Sequence, residues 1–171
     1  MVNFEYMQFY YDWCQKTKLS VLGCEEDEIL EMEFILGFQF PLSYKEFLMI
    51  SGKQSKNNAS GFGFFHSVLG AEGDAKFEWS QKQYRDYVKL TEDGYLIVEG
   101  ILDTKITNYK HTGKEIVMAV YEDYHQHFIS AMDGNNPPVY SYDATCGNIE
   151  KISNTFTEFA LNELNGAYKN W

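Results

Sequence analysis

Arginine is nearly absent from this chain. Of 14 basic side chains among 171 residues only Arg85 is a guanidinium, so bidentate readout of phosphates or bases has almost nothing to work with. Against those 14 stand 25 Asp and Glu, a formal net charge of -11, which makes nucleic acid a poor direct partner and a basic protein surface a natural one. Plain solubility is the other reading of such a charge. Cysteine is scarce too. Cys14, Cys24 and Cys146 are widely spaced with no C-x-x-C pair, which excludes a disulfide framework or a zinc knuckle and fits a reducing compartment. No run of about 18 apolar residues could span a bilayer, and MVNFEYMQFYYDW lacks the basic and apolar regions of a secretory leader. The expected location is the cytoplasm, with no membrane partner.

Signatures of chemistry are missing as well. There is no G-x-S-x-G elbow, and none of the cysteines has a recognisable histidine partner. Gly61-Phe62-Gly63-Phe64-Phe65 has no following Lys-Ser/Thr, so it reads as a strand rather than a phosphate loop. His125 and His127 would share a face of a strand, as two metal ligands can, but nothing supplies a third; a polar turn edge explains them. Carboxylate pairs such as Glu92-Asp93 and Glu122-Asp123 are what so acidic a chain produces by chance. The expectation is a protein that is not an enzyme, with no cofactor and no metal.

What the chain does hold is aromatic. Phe, Tyr and Trp make up 17% of it, with 13 Tyr and 13 Phe, enough for ring packing to dominate one core. The length suits a single domain, 1–171, and no internal repeat or low-complexity tract divides it.

The most informative stretch is Gly23 to Gly52. Glu25, Glu26, Asp27 and Glu28 place carboxylates where a helix N-terminus favours them. Ile29, Met32 and Leu36 then fall on one face, widened by Leu30 and Ile35, and Gly37 can end the helix in the left-handed conformation. Pro41 opens a second helix, Tyr44, Phe47, Leu48 and Ser51 recur at i, i+3, i+4 and i+7, and Gly52 stops it. Glu33, a carboxylate beside the apolar face, is expected to bond to backbone or a tyrosine hydroxyl.

Around this hairpin, a first helix is expected from about Asn3 to Lys16 and another over Trp79 to Leu90. After the Glu92-Asp93-Gly94 turn the period changes to strands: Tyr95 to Leu102, Glu115 to Glu122, His127 to Met132 and Val139 to Asp143. The apolar run Ile116 to Val120 suggests a strand in the middle of a sheet, covered on both faces. A last helix, Thr155 to Tyr168, is capped by Asn154 or Thr155 with Glu158 closing the box. The expected fold class is α+β, a central and largely antiparallel β-sheet flanked by the helical hairpin and a C-terminal helix. The segment from 53 to 78 aligns with nothing familiar.

The arrangement Gly23, Ile29, Glu33, Leu36-Gly37, Pro41, Tyr44-Lys45, Phe47-Leu48 and Gly52 resembles the opening of SMI1/KNR4 (SUKH) domains. Phe40 replaces the usual leucine before the proline. Asp133-Gly134 and Asn136-Pro137-Pro138-Val139-Tyr140, followed by a helix with Phe156 and Phe159, resembles the same family's closing segment. The resemblance implies a protein-binding module. Bacterial members are immunity proteins that neutralise polymorphic toxins, many of them nucleases, and fungal relatives regulate cell-wall glucan synthesis. The scarcity of arginine beside abundant Lys, Asn and Ile suggests an AT-rich bacterial genome, which favours a cognate, basic toxin as partner over a regulatory scaffold's endogenous one. Carboxylates in the first turn of a helix already have a structural role. The contact residues are therefore expected at strand ends and turns, Glu122, Asp123, Asp133 and Asp143, with Trp79 and Tyr124 as aromatic anchors. Oligomeric state is left open.

Overall fold

A computed structural model describes residues 3–18, 21–52, 54–55, 88–90, 96–98, 105–106, 109–121, 125–143 and 148–164. In chain order these form α1 (Gln8–Thr17), β1 (Val21–Leu22), α2 (Glu26–Leu36), α3 (Leu42–Ser51), β2 (Gln54–Ser55), β3 (Val88–Leu90), β4 (Leu96–Val98), β5 (Lys105–Ile106), β6 (Glu115–Tyr121), β7 (His125–Ser130), β8 (Val139–Asp143), β9 (Asn148–Ser153) and α4 (Phe156–Leu164). The strands β6, β7, β8 and β9 pair in that order as an antiparallel meander, β3, β4 and β5 pair likewise, and β1 pairs with β2. The fold is α+β.

The helical hairpin forms as its residues dictate. Glu25 and Glu28 make a reciprocal capping box at the start of α2, and Gly37 ends it at a φ of 77°. On α3 the expected face is fully inside, with Tyr44, Phe47 and Leu48 at 0% exposure and Ser51 close to it. Two glycines set how closely the hairpin closes. A Cβ at Gly23 would sit 1.7 Å from the Met49 carbonyl oxygen, and one at Gly52 would sit 2.3 Å from Cys24 Sγ. Without side chains there, the Cys24 N–H reaches the Leu48 carbonyl at 2.9 Å and seats β1 against the end of α3.

Aromatic rings fill the space between hairpin, α1, α4 and sheet. Phe156 of α4 meets both Tyr44 and Phe47 edge-on at 5.8 Å, Tyr10 of α1 stacks on Phe47 at 5.4 Å, and Ile116, Met118, Ile129 and Val139 close the core from the sheet side. Two buried carboxylates hold the surrounding backbone. Glu46 accepts from the N–H groups of Glu5, Tyr6 and Met7 at 2.8–2.9 Å, fixing the segment that leads into α1 and its N-cap residue Met7. Glu33 accepts from the Phe40 N–H and pairs with Lys45 at 2.8 Å, which meets the expectation of a backbone bond and adds a lysine.

The Asn-Asn-Pro-Pro-Val-Tyr segment has an equally physical role. The Asn135 carbonyl accepts from Ser43 N–H at the start of α3, and Asn136 Oδ1 accepts from Thr157 N–H and Oγ1 at the start of α4. One loop thus caps two helices and leads directly into β8. At the head of α4 the Glu158 N–H bonds to Thr155 Oγ1, while the Glu158 carboxylate takes the Asn154 N–H, much as expected.

Several expectations need correction. Helix α1 starts at Gln8, because residues 5–7 are drawn onto Glu46. Val88–Leu90 is a strand and not the end of a helix: its backbone pairs antiparallel with β4, Val88 opposite Val98 and Leu90 opposite Leu96, so partners across the ladder and not the local spacing decide its state. Strand β7 begins two residues before the expected His127 and ends at Ser130, where Asp133 N–H turns back onto the Ser130 carbonyl. Strand β6 stands at the end of the strand order among the described residues, not in the middle. Its consecutive burial at Ile116, Val117 and Met118 comes with a bulge between Val117 and Ala119. Strands β1, β2, β5 and β9 stand where no strand was expected, β2 within the stretch expected as a polar loop. In β9 a bulge opposite Val139 and Tyr140 interrupts the alternation, leaving Glu150 and Lys151 both exposed, so no period-two signal remains. Leu30 does not widen the inner face of α2; it is 50% exposed. The loop at 53 to 59 apart from β2, the Gly61–Phe65 strand, and the expected helix from Trp79 as far as residue 87 lie outside the described residues.

Candidate partner-binding site

Of the six expected contact residues, Glu122, Asp123, Tyr124 and Trp79 lie outside the described residues. Asp133 and Asp143 are both placed. Asp133 is exposed in the turn after β7, and partial burial together with the nearby Glu115 carboxylate raises its pKa. Asp143 is half-buried at the far end of β8, opposite His125 and Asn148 on the neighbouring strands. The length of β8 separates them, about 13 Å for four residues of extended strand. They belong to opposite ends of the sheet and form no shared patch.

Beside Asp133 is a tight carboxylate hub. Glu115 accepts from Tyr109 Oη at 3.1 Å, Thr112 N–H at 2.7 Å and Thr112 Oγ1 at 2.8 Å, and its other oxygen meets His111 Nδ1 at 2.5 Å. Burial alone would raise this carboxyl, but the bonds from His111 and Thr112 outweigh it and hold the pKa below its usual value. Tyr109 is pushed upward by burial and by Glu115, and its ring packs on Phe128 and Tyr140 at 5.2 and 4.7 Å. Both carboxylate oxygens are engaged in closing the 109–115 turn. The hub is a structural fastening, and Cys14, whose thiol burial pushes up to about 11, is likewise poorly suited to nucleophilic work. Among the described residues no group of three or more His, Cys, Asp or Glu could hold a metal, and His127 instead packs its ring on Phe159 at 5.6 Å.

A second surface stands out on α2, and the sequence reading missed it. Ile29, Met32 and Glu33 face inward, while Phe34 is 86% exposed and Leu30 is exposed one turn before it. Asp27 and Glu31 are exposed beside them. Positions 27, 30, 31 and 34 fall within about 100° of the helix circumference, directly opposite the buried residues. The spacing i, i+3, i+4, i+7 thus occurs twice on this helix, once for each face, and Leu30 belongs with Phe34 on the outer one.

A model of the SMI1 / KNR4 family (SUKH-1) matches residues 23–162, from the first hairpin glycine to within α4. The chain belongs to that family. Both resembling segments, the hairpin and the helix-capping Asn-Pro-Pro loop, lie inside the match. A search of curated proteins finds no match. SUKH membership supports a protein-binding module of the immunity type, in a family that is generally non-enzymatic. Among the described residues no helix is long and apolar enough to cross a membrane.

Proposed function

We propose that this SUKH protein is a cytoplasmic bacterial immunity protein that binds a basic toxin, of the kind that acts on nucleic acid, and blocks it. The observation that carries the reading is charge: a net of -11 on a family scaffold that supports protein binding. A nuclease needs a basic groove for its substrate, and a strongly acidic inhibitor is drawn to that groove and competes with phosphate there. Glu122, Asp123, Asp133 and Asp143 are the proposed steering carboxylates, with Trp79 and Tyr124 as aromatic contacts. Asp133 and Asp143 sit at opposite ends of β8, which favours a field spread over the sheet edges over one plug of charge.

The experiment identifies the gene adjoining this one, where a toxin domain is expected and its absence would favour a regulatory scaffold, co-expresses the two, and follows association kinetics between the purified pair across salt concentrations. Relief of toxicity is expected, with an association rate above the unsteered 10⁵–10⁶ M⁻¹s⁻¹ (about) that falls as salt rises. The Glu122→Gln, Asp123→Asn variant should associate more slowly. Undiminished toxicity in the presence of this protein would refute the immunity role. A rate indifferent to salt and to both substitutions would refute the electrostatic part alone.

A further inference from the structure

The outer face of α2 has no structural explanation. Phenylalanine is a poorer helix former than the alanine, glutamate or lysine usual at exposed positions, and a Phe left in water forgoes roughly 1.5–3 kcal/mol of burial. Phe34 is nevertheless 86% exposed in the last turn of the helix, with Leu30 one turn before it at i-4, 50% exposed, so the two lie on one apolar ridge. Carboxylates edge that ridge. Asp27 and Glu31 share its face and Glu26 adjoins it, and among the described residues none of the three is ion-paired. The cation nearest to hand on the hairpin, Lys45, is already engaged by the inward-facing Glu33. An apolar ridge bordered by unneutralised acid is complementary to one kind of surface, an apolar pocket rimmed by lysine or arginine.

We propose that the Asp27–Leu30–Glu31–Phe34 face of α2 is the anchoring surface for a basic protein partner, with Phe34 and Leu30 entering an apolar pocket and Asp27 and Glu31 pairing with cations on its rim. This is recognition by one face of a rigid helix, read through side chains at i and i+4. It rests on the immunity reading and adds to it the centre of the contact: the strand-end carboxylates steer, and α2 holds. The helix is well suited to the task because its own capping box and its inner face fix it independently of the outer residues, so little ordering is lost on binding.

The test uses the full chain and a catalytically inactive form of the toxin domain identified by that co-expression. Affinity is measured for wild type, Phe34→Ala, Glu31→Lys and, as a control on an exposed apolar residue elsewhere, Met132→Ala. Phe34→Ala should weaken binding by about 30-fold or more with an unchanged thermal midpoint, as expected for a central aromatic anchor. Glu31→Lys should weaken it and lower the association rate, and Met132→Ala should leave it within twofold. If wild type binds and Phe34→Ala binds equally well, the α2 proposal is overturned while the immunity role stands. If wild type itself fails to bind, the immunity reading falls and takes the proposal with it. Self-association that Phe34→Ala abolishes, with toxin affinity unchanged, would assign the face to a second copy of this chain and overturn the proposal in that way.

Discussion

Helices α2 and α3 are consecutive, of similar length and packed on one another, yet their apolar residues do different things. On α3, Ser43, Tyr44, Glu46, Phe47, Leu48, Ile50 and Ser51 are all buried. Two of its buried polar side chains are consumed internally, Glu46 by three backbone donors and Ser51 by Tyr10 Oη. On α2 only one side is so used, and the other presents Leu30 and Phe34 to solvent. The lesson is that hydrophobicity in a helix does not by itself mark the core. Two apolar sets on opposite faces indicate one set for the fold and another available to something else.

The comparison breaks first if α3 can be emptied without consequence. Phe47→Ala should cost about 3–5 kcal/mol, because Phe47 is wholly buried between Tyr10 and Phe156 and neither ring can collapse into the space. A urea midpoint that barely moves would show that α3 is not the centre of the core. Gly23→Ala belongs in the same range: its Cβ would meet backbone, which yields less readily than a side chain.

Much of this was legible from residues alone. The hairpin bounds were legible from Gly23, Gly37, Pro41 and Gly52, of which Gly37 and Pro41 act through local conformation and Gly23 and Gly52 through close approach to Met49 and Cys24, and β8 matched its expected range because Val139 to Asp143 follows directly on Pro137-Pro138. Strands β1, β2, β3, β5 and β9 were not legible, because short ladders and bulges leave no period of their own and such strands are held by their partners. The carboxylate roles were half visible. Glu33 stood out because it interrupts an apolar face, whereas Glu46 gave no sign that it would gather three N–H groups from 39 to 41 residues upstream. On the site, the charge pattern points to turn carboxylates and not to Phe34, because the apolar residues of α2 at 29, 30, 32, 35 and 36 suggest one broad stripe that leaves Phe34 unremarked.

Smaller effects sharpen the contrast. Glu46→Gln should cost about 1–3 kcal/mol, since an amide has a single acceptor oxygen and turns its NH2 either to the Glu5 N–H or to those of both Tyr6 and Met7. Calorimetry in parallel with wild type checks it, and an equal stability would mean that water replaces the carboxylate. On α4, burial raises the Glu163 carboxyl to about 7. A folded-state pKa above the unfolded value makes stability greatest below about pH 4.5 and progressively lower as the pH rises towards 7. Glu163→Gln should flatten that slope and add on the order of 1 kcal/mol at neutral pH, the full shift being reduced by solvent screening of a carboxyl that is not wholly enclosed. Denaturation midpoints of both proteins at pH 5 and pH 8 check it, and identical pH profiles would deny the burial penalty.

The smallest expected change is the most direct test of the difference between the two helices. A Leu30→Ser, Phe34→Ser double variant removes the largest apolar groups from the outer face of α2, and its unfolding free energy by urea titration should lie within about 0.5 kcal/mol of wild type for each substitution, with an unchanged slope. A loss of several kcal/mol would mean that these side chains are part of the core and that α2 has no face to spare.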